Sequence, residues 1–261
     1  MSMQFETLRT EIENHVFYVT MNRPKGHNTF GEDMREELLH ALLHAQEDDG
    51  IRVVVLTGTD RWFCTGGDVH RMHTLKDEGA GFEKIRPVMD EGRRIVTLLH
   101  EMPKPSIAMV NGAATGAGMT LALACDVRIV SDHASFSQNY LHAGLHPDWG
   151  GTYFLPRLVG TGRALELFWT GRRVEAEEAE EIGMVQHVVP HAHLREHTAR
   201  FARRLVRATP TTLRLVKMAV QNSTQFDLQG MLDFETEAQR QCWDADGTSD
   251  RLRAYVDRQR H

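Results

Sequence analysis

Apolar positions recur along this chain with two periods, and their character changes near residue 193. Before that point, runs with strand character alternate with stretches of helical period. Residues 5–10 and 16–21 flank a turn at Glu13-Asn14 and predict a β-hairpin. Residues 33–47 set Met34, Leu38, Ala41, Leu42 and Ala45 at helical spacing. Residues 51–56 are a continuous apolar run, short enough for a strand buried on both faces. A long helix is predicted over 82–102, with Phe82, Ile85, Met89, Ile95, Leu98, Leu99 and Met102 in period and Pro103 as its stop. Further strands are expected over 106–110, 127–130 and 185–189, with short helices between them, one over 149–158. Repeated strand-strand-helix units read as mixed α/β.

Beyond residue 193 no strand is predicted. Helices are expected over 194–206, 211–221 and 228–243, punctuated by Pro210, Gly230 and Gly247. Ser249 is positioned to cap a last helix running to 258. The organisation expected is therefore an α/β core over 1–192 and a helical region over 193–261. Glu175-Ala-Glu-Glu-Ala-Glu-Glu181 reads as a solvated helix face. No fixed-period repeat is present.

Composition narrows the classes of function. The chain has 261 residues, 41% hydrophobic and 25% charged, enough for a full core in an ordinary globular enzyme. A net charge of −6 argues against a general nucleic-acid or membrane-surface role. No run of about 18 apolar residues is available to span a bilayer. Met1-Ser-Met-Gln-Phe-Glu-Thr7 lacks the basic-then-apolar pattern of a secretory signal, so a cytoplasmic location is expected. Cys64, Cys125 and Cys242 are widely spaced and contain no Cys-x-x-Cys pair, which predicts neither disulfides nor a zinc site. The histidine pairs His70/His73 and His142/His146 sit at helical spacing, but no ligand set accompanies them, and no metal is expected.

Two glycine-rich turns carry the candidate chemistry. The strand ending at Val110 feeds Asn-Gly-Ala-Ala-Thr-Gly-Ala-Gly118, which opens into an apolar helical pattern. A helix start of this kind presents unpaired N–H groups and a positive dipole end. It suits a phosphate, or an oxygen that becomes negative during reaction. A second turn, Trp62-Phe-Cys-Thr-Gly-Gly-Asp68, follows the apolar run 51–56 and again precedes a helical stretch. Two such units facing one site from two sides supply the donor geometry of an oxyanion hole.

Along nearly its whole length the chain resembles the enoyl-CoA hydratase/isomerase, or crotonase, family. The resemblance rests on the order and spacing of Asn22-Arg-Pro-Lys-Gly-His-Asn28, Trp62-Phe-Cys-Thr-Gly-Gly-Asp68, Pro105-Ser-Ile-Ala-Met-Val-Asn-Gly112, Gly116-Ala-Gly118, Gly144-Leu-His-Pro-Asp-Trp-Gly-Gly-Thr152, Leu155-Pro-Arg-Leu-Val-Gly160 and Gly183-Met-Val185. It implies a crotonase (ClpP-like) spiral of ββα units with a C-terminal helical trimerisation region. It implies an acyl-CoA substrate, with the thioester oxygen held by the backbone N–H groups of Gly67 and Ala117. CoA arrives with the substrate, and no further cofactor is implied. The expected assembly is a homotrimer or a dimer of trimers, with no nucleic acid or membrane partner.

Family members that hydrate an enoyl thioester use two carboxylates. The matching positions here hold Thr120 and Tyr140, which the resemblance leaves as pocket residues. Neither is a usable base near neutral pH; the reference tyrosine pKa is about 10. One carboxylate stands nearby, Asp148. Two readings apply to it: a turn or cap residue after Pro147, or the base that moves a proton, as the resemblance to the ring-1,2-epoxyphenylacetyl-CoA and Δ3,Δ2-enoyl-CoA isomerase branch implies. Hydratase, decarboxylase, hydrolase and dehalogenase chemistry, and plain acyl-CoA binding, are the alternatives. Of the remaining candidates, Arg23 and Lys25 match positions near the CoA phosphates or form a solvated loop. Asp68 either borders the substrate or caps a helix. Tyr140 either hydrogen-bonds substrate or walls the pocket. His146 assists the base or faces solvent, and Trp149 walls the acyl pocket or packs.

Overall fold

The computed structural model describes residues 4–259, apart from the side chain of Glu32. The hairpin forms from β1 (Leu8–Glu13) and β2 (Val16–Met21), with Leu8 opposite Met21 and Glu13 opposite Val16. The first strand starts later than expected, and the turn is Asn14-His15. Both turn residues hold positive φ, 51° and 65°, as a tight two-residue hairpin requires. Helix α1 (Glu32–Glu47) follows.

Three strand-strand-helix units then repeat. The first has β3 (Val53–Gly58), β4 (Trp62–Cys64) and α2 (Val69–Asp77), with α3 (Arg86–Glu101) after it. The helix expected over 82–102 breaks after a single 3-10 turn at Phe82–Lys84 and restarts at Arg86, with Pro87 in its first turn. The second unit has β5 (Ser106–Val110), β6 (Ala113–Thr115) and α4 (Ala117–Ala124). The third has β7 (Val127–Ser131), β8 (Ser135–Ser137) and α5 (Gly151–Val159). After them come α6 (Thr161–Thr170), β9 (Val174–Glu175), α7 (Ala176–Glu181), β10 (His187–Val189) and α8 (Leu194–Arg207). In α7, Ala176 and Ala179 face inward and its glutamates outward or to the rim.

Each unit sends its first strand to one sheet, ordered β1-β2-β3-β5-β7-β10, and its second to another, ordered β4-β6-β8-β9. Within the large sheet all pairs but β1–β2 are parallel. Strands β2, β3, β5 and β7 are buried on both faces, which is why they read as near-continuous apolar runs, whereas the edge strand β1 is largely exposed. Phe17, Val19, Val54, Leu56, Ala108 and Val110 point into one core with α1, α3 and α4. Val16, Tyr18, Val53, Val55, Ile107 and Met109 point into a second core, closed by Leu194 and Ala202 of α8.

The chain divides into two compact units, 1–206 and 207–261. Helix α8 therefore belongs almost entirely to the first, because its apolar stripe covers the large sheet; the boundary drawn from the sequence at 192/193 precedes it. The second unit holds α9 (Pro210–Asn222), α10 (Leu228–Asp244) and α11 (Thr248–Gln259). Thr209 and Asp227 cap α9 and α10 through the N–H groups of Thr212 and Gly230. Ser249 lies inside α11 and is not its cap.

Two buried asparagines clamp the strand connections. Asn111 accepts from Gly58 N (3.0 Å) and donates to Asp60 O (2.9 Å). Asn28 donates to Trp62 O (2.9 Å). All eight residues of α4 are buried. A Cβ placed on Gly118 would stand 2.0 Å from the Cys64 carbonyl oxygen, so this helix lies directly on the β4 backbone. Gly118→Ala is expected to lower stability by about 1–3 kcal/mol, the usual cost of overpacking. Urea denaturation reads this; an unchanged midpoint would contradict the packing.

Candidate active site

The second and first units bring their glycine turns into contact. Gly116 holds φ 54° and α4 begins at Ala117. Gly66 holds φ 83°, and a Cβ there would lie 2.6 Å from Thr115 O and 3.1 Å from Ala117 N. Gly67 is bridged to Phe30, and Phe30 N donates to Gly66 O at 2.8 Å. Neither Gly67 nor Ala117 spends its backbone N–H on an acceptor among the described residues. Two unspent donors thus sit on adjoining turns, one of them at a helix N-terminus. The neighbouring Cys64 is buried and its thiol is pushed up to about 12, which excludes it as a nucleophile near neutral pH.

The third unit supplies the carboxylate. Asp148 precedes Trp149 and Gly150, which hold φ 52° and 87°. Two consecutive left-handed residues turn the chain sharply into α5, and Gly151 N closes the turn on Asp148 O at 2.9 Å. The expected helix start at 149 is thereby corrected to Gly151. A left-handed tryptophan is costly in isolation. Its ring is buried, stacked on Phe30 at 4.3 Å between centroids. It also lies where a side chain on Gly92 would stand, 2.0 Å from the Trp149 Nε1.

Asp148 is half-buried, and Tyr140 donates a short hydrogen bond from its hydroxyl to Asp148 Oδ1. Burial pushes the Asp148 carboxyl up; the Tyr140 hydrogen bond and the charge of His146 oppose that shift. Burial likewise raises the Tyr140 phenol, and the Asp148 charge adds to it. The Tyr140 ring is also the link to the donor turns: a Cβ on Gly116 would lie 3.6 Å from its Cζ. Gly67, Ala117, Tyr140 and Asp148 therefore form one connected wall.

Thr120 sits behind this wall, fully buried, and accepts from Gln138 Nε2 at 3.3 Å. The other sequence candidates are placed as follows. Asp68 caps α2, accepting from Arg71 N at 3.0 Å. Arg23 folds back on its own loop and donates to Thr29 O at 2.9 Å. Lys25 is exposed on the 3-10 turn Pro24–Gly26. His146 is exposed, with Nδ1 2.6 Å from Pro147 O. Trp149 packs.

Sequence reasoning missed Phe30, Arg35, Glu91, Gly92 and Gln138. Arg35 joins Glu91 at 2.6 Å and donates to Phe30 O at 2.9 Å, so an ion pair steadies the residue on which Trp149 stacks. Gly92 carried a signal, since a glycine inside a helical pattern marks close packing. The others carried none. Among the described residues no group of three or more His, Cys, Asp or Glu side chains converges to hold a metal ion.

Adjoining backbone donors beside one half-buried carboxylate are groups able to hold an oxygen that gains charge and to exchange a proton. The chain belongs to the enoyl-CoA hydratase/isomerase family, whose model matches residues 11–261. It is 33% identical over 260 residues to the short-chain-enoyl-CoA hydratase of Clostridium acetobutylicum, covering 99% of this chain and 97% of that one. It is 35% identical over 240 residues to the 1,2-epoxyphenylacetyl-CoA isomerase of Escherichia coli, covering 90% and 89%. The crystal structure of an enoyl-CoA hydratase from Bacillus anthracis superposes with a TM-score of 0.91 at 34% identity, covering 97% of each chain. The crotonase fold expected from the sequence is the fold observed.

The raised Asp148 carboxyl has a consequence for stability. A folded-state pKa above the unfolded one means that stability falls as pH rises from the unfolded value through the folded one. Asp148→Asn is therefore expected to be more stable than the parent at pH 7. The difference should shrink below about pH 4, the reference carboxylate range. Thermal unfolding across pH tests this; a variant less stable at pH 7 than at pH 3, relative to the parent, would contradict it.

Proposed function

We propose that this protein is an acyl-CoA isomerase of the family, moving a proton with Asp148 while Gly67 and Ala117 hold the thioester oxygen. The observation that carries the reading is that Asp148 is the carboxylate of the site, whereas positions 120 and 140 hold threonine and tyrosine. Asp148 takes a proton from the α carbon of a 3-enoyl thioester. The electron pair moves onto the thioester oxygen, where the two N–H groups stabilise the enolate. Asp148 then returns the proton at the γ carbon, the double bond moves to the 2-position, and the oxygen loses its charge. Burial supports this role, because a carboxyl raised above its ordinary value is a stronger base and holds the proton more readily between its removal and its return. The relative named as an epoxyphenylacetyl-CoA isomerase supports an isomerase; the relative named as a hydratase keeps water addition as the competing outcome. No resident cofactor takes part, and CoA is part of the substrate. Arg23 and Lys25 are proposed to meet its phosphates, and His146 to border the pocket.

The test is incubation in D₂O with a 3-enoyl-CoA and, separately, a 2-enoyl-CoA. The expected results are migration of the double bond into conjugation and little 3-hydroxyacyl-CoA. Asp148→Asn should lower turnover by about 10²–10⁴, the usual share of general acid–base catalysis. Rapid hydration that survives Asp148→Asn would reject the isomerase.

The proposed assembly is a homotrimer, alone or as a dimer of trimers. Among the described residues neither α10 nor α11 buries a side chain, while Leu228, Leu232, Trp243, Leu252 and Tyr255 are exposed on them. Apolar surface of this kind calls for a partner. Light scattering at micromolar concentration should give a multiple of three chains; a monomer would contradict the proposal.

A further inference from the structure

Phe30 is buried and attached at three points, each to a different part of the molecule. Its N–H donates to Gly66 O at 2.8 Å, and it forms a parallel bridge with Gly67, so its main chain runs along the first donor turn. Its carbonyl oxygen accepts from Arg35 Nη1 at 2.9 Å. Its ring lies on the Trp149 ring, 4.3 Å between centroids and 29° between planes. Trp149 directly follows Asp148. One residue therefore touches both the turn that carries Gly67 and the turn that carries the carboxylate.

Helices α1 and α3 close this tie into a ring of contacts. Arg35, in the first turn of α1, is buried, and its Nε donates to Glu91 Oε2 at 2.6 Å. Glu91 belongs to α3, and its neighbour Gly92 leaves the room that the Trp149 indole fills. Helix α3 thus bounds Trp149 directly and holds the Phe30 carbonyl through Glu91 and Arg35. Two N–H groups of one planar guanidinium serve a side chain and the main chain at once. An ammonium group on a flexible stem does not fix that geometry. Hydrogen bonds from a charged donor are also the stronger kind.

From this geometry we infer that Arg35, paired with Glu91, is a positioning residue that acts through Phe30 to set the spacing between the Gly67 donor turn and the Asp148 turn. The inference rests on the reading of Gly67 and Ala117 as oxyanion donors and of Asp148 as the base. The proton to be moved lies on the carbon next to the thioester carbonyl, so donor and carboxylate must be right relative to each other. The two turns belong to the first and the third ββα unit, far apart in the chain. Phe30 and Arg35 precede all three units, and their contacts span two of them. Close-packed rings and bonded main chain yield little to displacement. A misplacement of about an ångström costs roughly 10²-fold in rate.

The experiment compares parent, Arg35→Met, Phe30→Leu and the double variant Arg35→Met/Glu91→Met, each checked for folding by circular dichroism. Two quantities are read that do not depend on the folded fraction. One is the carbonyl stretch of bound butyryl-CoA labelled with ¹³C at the thioester, by isotope-edited infrared spectroscopy. The other is the Asp148 carboxyl titration, by ¹³C NMR on aspartate-labelled protein assigned with Asp148→Asn. Tyr140 and His146 are the ionisable groups acting on that carboxyl, and every variant keeps both. Arg35→Met should raise the carbonyl frequency toward that of free butyryl-CoA. It should also lower the Asp148 pKa by about 0.5–1 unit as water reaches the loosened turn. Turnover of a 3-enoyl-CoA should fall about 10–10²-fold. Phe30→Leu keeps the main-chain bonds and should move the titration while leaving the frequency near the parent's. A merely structural role would lower turnover with both readings unmoved, which would overturn the inference. A change in only one reading in Arg35→Met would overturn the coupling of the two turns. If Arg35→Met does not fold, the double variant decides, since replacing both charges by apolar side chains leaves no charge unpaired. No lowering of the frequency when butyryl-CoA binds the parent would instead overturn the donor reading, and parental turnover in Asp148→Asn the base reading; the inference falls with either.

Discussion

The site depends on two backbone turns meeting with no side chain between them. Gly118 lies on the Cys64 carbonyl and Gly66 lies on the Ala117 nitrogen, and at each a methyl group would collide with main chain. This approach brings together the two turns that carry Gly67 and Ala117. The sheets make it repeatable. Each ββα unit delivers one strand to each sheet, so successive units follow one another in sheet order. Buried asparagines on the strand connections keep the turns in register.

The Asp148 turn obeys a different constraint. Two left-handed residues in succession, one of them tryptophan, are unfavourable locally and persist only where packing over-determines them. Phe30 supplies that packing by stacking, Gly92 by leaving room, and the Arg35–Glu91 pair by holding the Phe30 carbonyl. The carboxylate is thereby kept half-buried, in an environment that raises its pKa and opposes its own ionisation. Stability and reactivity pull in opposite directions at this residue.

Much of this was legible in the sequence, for identifiable reasons. Parallel strands buried on both faces leave continuous apolar runs, so 51–56, 106–110 and 127–130 were visible as strands. The short strands of the small sheet were not: β4, β6, β8 and β9 span two or three residues each, below the length at which alternation is readable. Gly116, Gly118, Gly66 and Gly67 announced the donor turns because glycine is needed there. From the residues alone Asp148 read equally as a turn or cap residue; the resemblance singled it out, and Tyr140 was visible as the residue standing where a carboxylate is missing. Gln138, Arg35 and Phe30 were invisible, since their roles come from contacts across 18, 56 and 119 positions that no local pattern encodes.

The most direct test of the account is a crystal structure with an unreactive acyl-CoA bound. The account predicts the thioester oxygen about 2.7–3.1 Å from both Gly67 N and Ala117 N. It predicts an Asp148 carboxylate oxygen facing the α carbon, with Tyr140 still donating to it. A thioester oxygen that contacts neither amide, or an Asp148 carboxylate turned away from the acyl chain, would contradict it.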